Sequence, residues 1–205
     1  MNDISFQNDT ELQLLYQLFL PATRDASSAM CRWTGSLITL TLDEVRRIPL
    51  SEVCANLNIN DEILTMVVLS LEGNFGGEMI LTFDDENGRQ LAAALLGREV
   101  SDGSEWTMLE KSALTETGNI LGCSYMNALT KLIGHELVPS PPYFIQDYGA
   151  SVLQQALIVQ AIDCDEVIVC QTGFYRDGEE LNWRVIFVPT DAMRKAMENA
   201  LKYES

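Results

Sequence analysis

The chain has 205 residues, of which 47% are hydrophobic and 21% charged. That length suits one large domain or two small ones in intimate contact, and a core of that size needs no metal or disulfide staple. Lys and Arg number 13 against 30 Asp and Glu, leaving a net charge of −17, which repels phosphate backbones and anionic membrane surfaces and argues against nucleic acid or membrane as a direct ligand.

Between residues 9 and 33, Leu12, Leu15, Tyr16, Phe19, Leu20, Ala26, Ala29, Met30 and Trp33 recur mostly at helical spacing, and Pro21 predicts a kink or a break. Residues 36–42 read as a strand, after which Val45-Arg-Arg-Ile-Pro-Leu leads into a short polar stretch. Residues 63–71 and 78–83 read as two strands of a hairpin, with Glu72-Gly-Asn-Phe-Gly-Gly as the turn signal. Asp84 or Asp85 caps a helix that runs to Leu96 and stops at Gly97.

The second half repeats that order. Residues 105–132 predict a long helix, 134–139 a short extended piece, and Pro139-Ser-Pro-Pro breaks the chain. Residues 148–162 are apolar and read as helical or mixed. Residues 167–174 and 181–188 are strands joined by Tyr175-Arg-Asp-Gly-Glu, and Thr190 or Asp191 caps a final helix over 192–201. Gly35 of Trp33-Thr-Gly35 falls on Gly134 of Ile133-Gly134 at a shift of 99, and Gly77-Glu-Met-Ile-Leu-Thr-Phe83 falls on Leu181-Asn-Trp-Arg-Val-Ile-Phe187 at a shift of 104. Helix, strand, hairpin, helix thus occurs twice, over about 9–97 and 105–203. The expected fold is one pseudo-twofold α+β domain, two-layered around a shared core.

The opening residues, Met-Asn-Asp-Ile, carry no basic region or apolar signal core, and no run approaches the ~18–20 apolar residues of a membrane span. Cys31, Cys54, Cys123, Cys164 and Cys170 are odd in number and contain no Cys-x-x-Cys pair, which fits reduced thiols in the cytoplasm. The single histidine, His135, rules out a histidine-rich metal site and reads as a surface or turn residue. No Walker loop and no dinucleotide fingerprint occurs.

On the helix over 105–132, Leu109, Ala113, Leu114, Ile120, Leu121, Met126 and Leu129 are expected to face the core. Ser112, Glu116 and Asn119 lie at i, i+4 and i+7 and stack on one face, with Gly118 and Gly122 one ridge away. Each glycine costs about 0.5–1 kcal/mol in a helix interior relative to Ala. Two of them imply a close approach of another backbone, a bend, or a surface left open for a partner. The stripe reads either as a solvated helix face or as a site completed by another protein. A Glu–Asn pair has no nucleophile and no metal ligand set. It can still fix a water in line with a phosphoryl group through the asparagine, and hold a partner Lys or Arg through the glutamate.

In full the pattern is Ser112-x3-Glu116-x2-Asn119-x22-Pro142. It resembles the signature of the CheC-type chemotaxis phosphatases, including CheX and FliY, which is Asp/Ser, three residues, Glu, two residues, Asn, twenty-two residues, Pro. Glu116-Thr-Gly-Asn-Ile-Leu-Gly122 is similar to the family's Glu-x-Gly-Asn-Ile helix, and the resemblance extends to the duplicated layout and to Arg-Ile-Pro-Leu-Ser-Glu-Val at 47–53. It implies a pseudo-symmetric fold with two long exposed helices and hydrolysis of the aspartyl phosphate of CheY, a response regulator.

The resemblance makes Glu116 and Asn119 the catalytic pair, Asn119 positioning the hydrolytic water and Glu116 engaging a CheY lysine. Ser112, Glu116 and Pro142 join the partner-binding face. It implies no cofactor in this chain, the Mg2+ belonging to the response regulator. It also admits CheD, a receptor-modifying deamidase that some CheC proteins bind, as a second partner, and a homodimer. Competing roles are a non-catalytic response-regulator-binding module, as in flagellar switch proteins, and a CheD-binding adaptor.

The family often carries the motif twice. A shift of 99 places Gln13, Gln17, Leu20 and Asp43 at the four positions in the first half. Leu20 cannot orient water and Gln17 carries no charge, so one working site is expected. Leu20 is expected to pack, or Tyr16, Phe19 and Leu20 to form an exposed apolar patch for a dimer or partner. With no zinc-type ligand set in reach, a chelator is expected to leave the thermal melt of the isolated chain unchanged; a lower melting temperature in EDTA would contradict this.

Overall fold

The computed structural model describes residues 10–35, 38–57, 59, 63–72, 75–100, 103, 105–158, 166–176 and 178–204. In chain order the elements are α1 (Thr10–Trp33), β1 (Ile38–Pro49), a 3-10 turn (Leu50–Glu52), α2 (Val53–Asn56), β2 (Ile63–Glu72), β3 (Gly77–Phe83) and α3 (Asp85–Leu96). Then follow α4 (Met108–Ile133), β4 (Val138–Pro139), β5 (Tyr143–Tyr148), α5 (Gly149–Ile158), β6 (Glu166–Arg176), β7 (Glu179–Pro189) and α6 (Asp191–Glu204).

The strands form one sheet in the order β1-β6-β7-β3-β2-β4, with β5 also on β2, and every pair is antiparallel. The β2–β3 and β6–β7 hairpins lie side by side at its centre. Each flanking strand pairs with the hairpin of the other half, β1 on β6 and β5 on β2. Leu81 pairs with Val185 across the β3–β7 ladder, and these are the residues that the shift of 104 superposes.

Strand β2 shows why its sequence is a continuous apolar run. Val67 and Leu69 point to the larger core, shared with Phe19, Leu121, Phe187 and Met193 under α1, α4 and α6. Met66 and Val68 point to the opposite face, where Val53 of α2 and Leu153 of α5 cover them. A strand buried on both faces has no polar alternation to display. At the centre of the larger core the Tyr125 hydroxyl lies 2.9 Å from Thr23 Oγ1 and 2.7 Å from Thr172 Oγ1, tying α4 to α1 and β6. Burial pushes the phenol up to about 12 against those two hydrogen bonds.

Several expectations hold at the element ends. Asp84 accepts from the Asn87 backbone N–H at 2.7 Å to cap α3, and Gly97 closes it at φ 62°. Thr190 accepts from the Met193 N–H at 3.3 Å to start α6. Others are corrected. Helix α1 is not broken at Pro21. Pro21 and Gln17, one turn before it, both stand on the exposed face of the helix, while buried Leu18, Phe19 and Ala22 hold both sides of Pro21 on the core. Phe19 is fully buried, which removes it from any exposed patch; Leu20 is half-buried and packs against the core.

β1 runs on to Pro49, because beyond an irregularity between Leu42 and Glu44 it is buried on both faces, Val45 joining Leu40 and Leu42 in the larger core and Ile48 joining Val53 in the smaller one. β5 was not expected: Pro141 and Pro142 mask the start of a short edge strand whose side chains are only partly buried. The turn residues 73, 74 and 177, the polar stretch at 58 and 60–62, the opening Met-Asn-Asp-Ile, residues 36–37, 159–162 and Cys164 lie outside the described residues. Among the described residues no helix is long and apolar enough to cross a membrane.

Removing the Tyr125 hydroxyl leaves two buried threonine hydroxyls short of a partner. Tyr125→Phe is therefore expected to lower stability by about 1–3 kcal/mol, read from urea unfolding; an unchanged midpoint would refute the network's structural role.

Candidate functional site

The site is built on α4, which is fixed at both ends and along one side. Thr107 and Glu110 form a reciprocal capping box: the Glu110 carboxylate accepts from the Thr107 N–H at 2.8 Å and from its hydroxyl at 2.7 Å, while Thr107 Oγ1 accepts from the Glu110 N–H at 3.3 Å. Glu110 is buried and ion-paired to Arg98 at 3.1 Å. Burial pushes its carboxyl up, but the Thr107 hydrogen bonds and the Arg98 and Arg89 charges together outweigh that and hold it below its ordinary range. Just before the cap, Trp106 is buried beneath the Arg89 guanidinium and donates to Asp85 Oδ1 at 3.1 Å. Gly134 ends the helix at φ 67°.

Along its inner face α4 presses on β2. A Cβ on Gly118 would lie 2.5 Å from Val67 Cγ1, and one on Gly122 would lie 2.5 Å from Leu69 Cδ2. Of the three expectations for this glycine pair, close approach is the one realised, against side chains of the sheet rather than a backbone. Ala113, Leu114, Thr117, Leu121, Tyr125, Met126 and Leu129 bury the rest of that face.

The opposite face carries the predicted stripe. Ser112 and Glu116 are exposed and Asn119 is half-buried. Asn119 Nδ2 donates to Glu116 Oε2 over a long 3.5 Å, and exposed Cys123 donates to Asn119 Oδ1 at 3.8 Å. On the flank, Trp33 Nε1 donates to Thr117 Oγ1 at 3.2 Å, so the end of α1 braces α4 beside Glu116.

Pro142 is set beside β2 by strand register. Pro139 pairs with Leu71 and Tyr143 with Val68, so residues 140–142 bulge opposite Ser70 and Leu69, the latter being the residue under Gly122. Ser140 holds the bulge, its N–H donating to the Ser70 carbonyl at 2.7 Å and its Oγ accepting from the Ser70 N–H at 2.9 Å. A proline, which lacks a donor, belongs at such an edge irregularity.

Leu109 is a correction. It was expected in the core but is 61% exposed, and its neighbour Met108 is 81% exposed. At i+3 and i+7 from Leu109 stand Ser112 and Glu116, so it shares their phase and not that of Leu114 and Leu121. The capping box and Trp106 were also missed, although Thr-x-x-Glu ahead of an apolar run is a legible start signal.

The first-half counterparts do not assemble a second pair. Gln13 and Gln17 are exposed on α1 and Leu20 packs against the core. Asp43 sits in the β1 irregularity, accepting from Thr41 at 3.0 Å, with its carboxylate in the space that Gly173 leaves. Burial raises its carboxyl, helped by the charges of Glu180 and Glu44 and opposed by the Thr41 hydrogen bond. His135 lies exposed in the turn after α4 against the Phe75 ring, at 5.2 Å between centroids. Among the described residues no group of three His, Cys, Asp or Glu could hold a metal. A cleft of about 250 Å³ between the ends of α1 and α3 is lined by Trp33, Leu91 and Trp183, and not by the Ser112–Glu116–Asn119 stripe.

The antiparallel sheet with two long helices on one face is the CheC-like α+β fold. Thermotoga maritima FliY shares it at a TM-score of 0.70, with 19% identity over 95% of this chain and 97% of that one. So does CheX in the CheX–CheY–BeF3–Mg2+ complex from Borrelia burgdorferi, at a TM-score of 0.56 and 20% identity over 83% and 96%. The FliM middle domain from H. pylori matches at 0.65 and 14% over 93% and 97%. No family profile matches the chain.

In sequence, the chain is 25% identical over 169 residues to the CheY-P phosphatase CheC of Bacillus subtilis, covering 80% of each protein. It is also 25% identical over 141 residues to the putative CheY-P phosphatase CheC1 of Halobacterium salinarum, covering 69% of this chain and 71% of that one. The chain thus resembles the CheC-type chemotaxis phosphatases in both sequence and fold.

The glycine contact sets two effects against each other. Ala favours a helix interior over Gly by about 1 kcal/mol, but overpacking against the stiff, buried Val67 costs about 1–3 kcal/mol. Gly118→Ala is expected to destabilise by about 1 kcal/mol net; a more stable variant in urea would show that the contact is slack.

Proposed function

We propose that this chain is a phosphatase for the aspartyl phosphate of a CheY-like response regulator, with a single site at Glu116 and Asn119. The observation that carries the reading is the Glu116–Asn119 pair on the outward stripe of a helix that is capped, braced and pressed onto the sheet.

Such a site is half of an active centre, and the partner supplies the rest. In the reaction a water attacks phosphorus, the bond from phosphorus to the aspartyl oxygen breaks, and inorganic phosphate and a free carboxylate result. The acyl phosphate is already activated, so positioning and electrostatic complementarity carry the acceleration. Asn119 is suited to the central part: its Oδ1 accepts from the water while its Nδ2 donates to a phosphoryl oxygen, holding the two in line. Glu116 fits the role of a charged anchor for a partner lysine, fixing register. Ser112 and Pro142 complete the contact face. The Mg2+ required belongs to the response regulator.

We read the two halves of the chain as pseudo-repeats of one domain, with only the second retaining the chemistry. The runner-up is a response-regulator-binding module without catalysis, favoured by the fold shared with the FliM middle domain. Hydrolysis distinguishes the two. Asn119→Ala is expected to lower phosphate release from a phosphorylated receiver domain by about 100-fold or more, with the thermal melt preserved. Gln17→Ala is expected to leave the rate within twofold. Equal rates for parent and Asn119→Ala would remove the catalytic assignment, and an equal loss in Gln17→Ala would overturn the single-site reading.

A further inference from the structure

The first turn of α4 combines two features that folding alone does not require. It is among the most firmly anchored parts of the helix, held by the Thr107–Glu110 box, the Arg98–Glu110 pair and buried Trp106. Yet it presents two large apolar side chains to water in succession, Met108 at 81% and Leu109 at 61% exposure. Neither contributes to the core, and their own surface lies on the same side of the helix as the catalytic stripe. Leu109, Ser112 and Glu116 follow at i, i+3 and i+7, and Met108 and Ser112 at i and i+4.

Resting on the phosphatase reading above, we propose that Met108 and Leu109 are the apolar docking contact for the receiver-domain partner. They would seat against an apolar patch beside its phosphorylated aspartate. The area a protein interface needs carries the choice of occupant. A standard interface takes about 800 Å² from each partner, a disc of roughly 16 Å radius. Leu109 precedes Glu116 by two helical turns, roughly 10 Å at 1.5 Å per residue. A receiver seated over Glu116 and Asn119 therefore covers the first turn. Burying these two side chains removes apolar surface from water without disturbing the water-positioning amide. Trp33, 39% exposed and bonded to Thr117, provides an apolar edge on the α1 side.

Docking through groups remote from the reacting atoms predicts a change in apparent affinity with turnover preserved. The test is steady-state hydrolysis of a phosphorylated receiver domain by the parent, by the double variant Met108→Lys/Leu109→Asp, and by the conservative Met108→Leu/Leu109→Met. The expected result is a KM raised about tenfold or more in the charged variant, kcat within twofold, and parental KM in the conservative one. An active parent with unchanged KM in the charged variant overturns this inference and leaves the phosphatase reading standing. A parent without hydrolysis overturns the phosphatase reading instead. Titration of a beryllofluoride-activated receiver domain then decides the docking: weaker binding of the charged variant upholds it, while equal binding or none overturns it. Both side chains are exposed, so matching thermal melts serve as the folding control.

Discussion

The site depends on how closely α4 can approach β2. Gly118 over Val67 and Gly122 over Leu69 let the helix down onto the sheet by the thickness of a side chain. Two interior glycines cost about 1–2 kcal/mol together relative to Ala. Fully burying one leucine, such as Leu114 or Leu121 on the same face, contributes about 1.5–3 kcal/mol, so the helix is held with its rotation fixed. That rotation aims Ser112, Glu116 and Asn119 outward. The capping box and the Trp33 brace then fix the helix lengthwise, and the role proposed for Asn119, placing one water, needs both constraints.

On the proposed equivalence of the halves, the same reasoning explains the silence of α1. A shift of 99 puts Phe19 where α4 has Gly118 and Thr23 where it has Gly122. Phe19 is fully buried against Phe187 and Tyr125, with ring centroids 5.6 and 6.4 Å apart. Thr23 meets the Tyr125 hydroxyl. Where α4 is lowered onto its sheet, α1 fills the space with side chains and is tied to α4 itself. Leu20, in Asn119's place, packs against the core. The exposed face of α1 keeps Gln13 and Gln17, but with Leu20 in the third position it has no charged group in Glu116's place and no amide in Asn119's.

Legibility in the sequence followed the physics of each signal. Asp84, Gly97 and Thr190 were readable because cap chemistry is local. The central strands were readable because apolar runs bounded by turn residues have few alternatives, and the 104-residue shift met the Leu81–Val185 pairing because both repeat and ladder concern the same hairpins. The spacing of Ser112, Glu116 and Asn119 needed only helical geometry to put them on one face. Edge pairing and the phase of the first turn were hidden. β5 draws its structure from pairing with β2, which no local pattern announces. Pro21 could not reveal that it stands on the solvent face of its helix. Leu109 looked like core because it is leucine in an apolar helix, whereas its phase puts it with Ser112 and Glu116 and not with Leu114 and Leu121.

The outward phase of Leu109 bears on what a convex site can be. Small-molecule enzymes enclose the substrate in a pocket that provides specificity and chemistry together. Here the one amide and one carboxylate lie on open helix surface, while the cleft between α1 and α3 lies apart from them. Specificity for a protein substrate then has to come from the surface around the pair. The net charge of −17 favours basic patches at long range, but physiological salt screens such attraction beyond about 8 Å. Selection at contact is left to short-range terms, namely a charged hydrogen bond from Glu116 and apolar burial. The large exposed apolar side chains on the N-terminal side of Glu116 on α4 are Met108 and Leu109, so on the proposed reading chemistry and recognition share one helix, and the glycine contact that orients the first also orients the second.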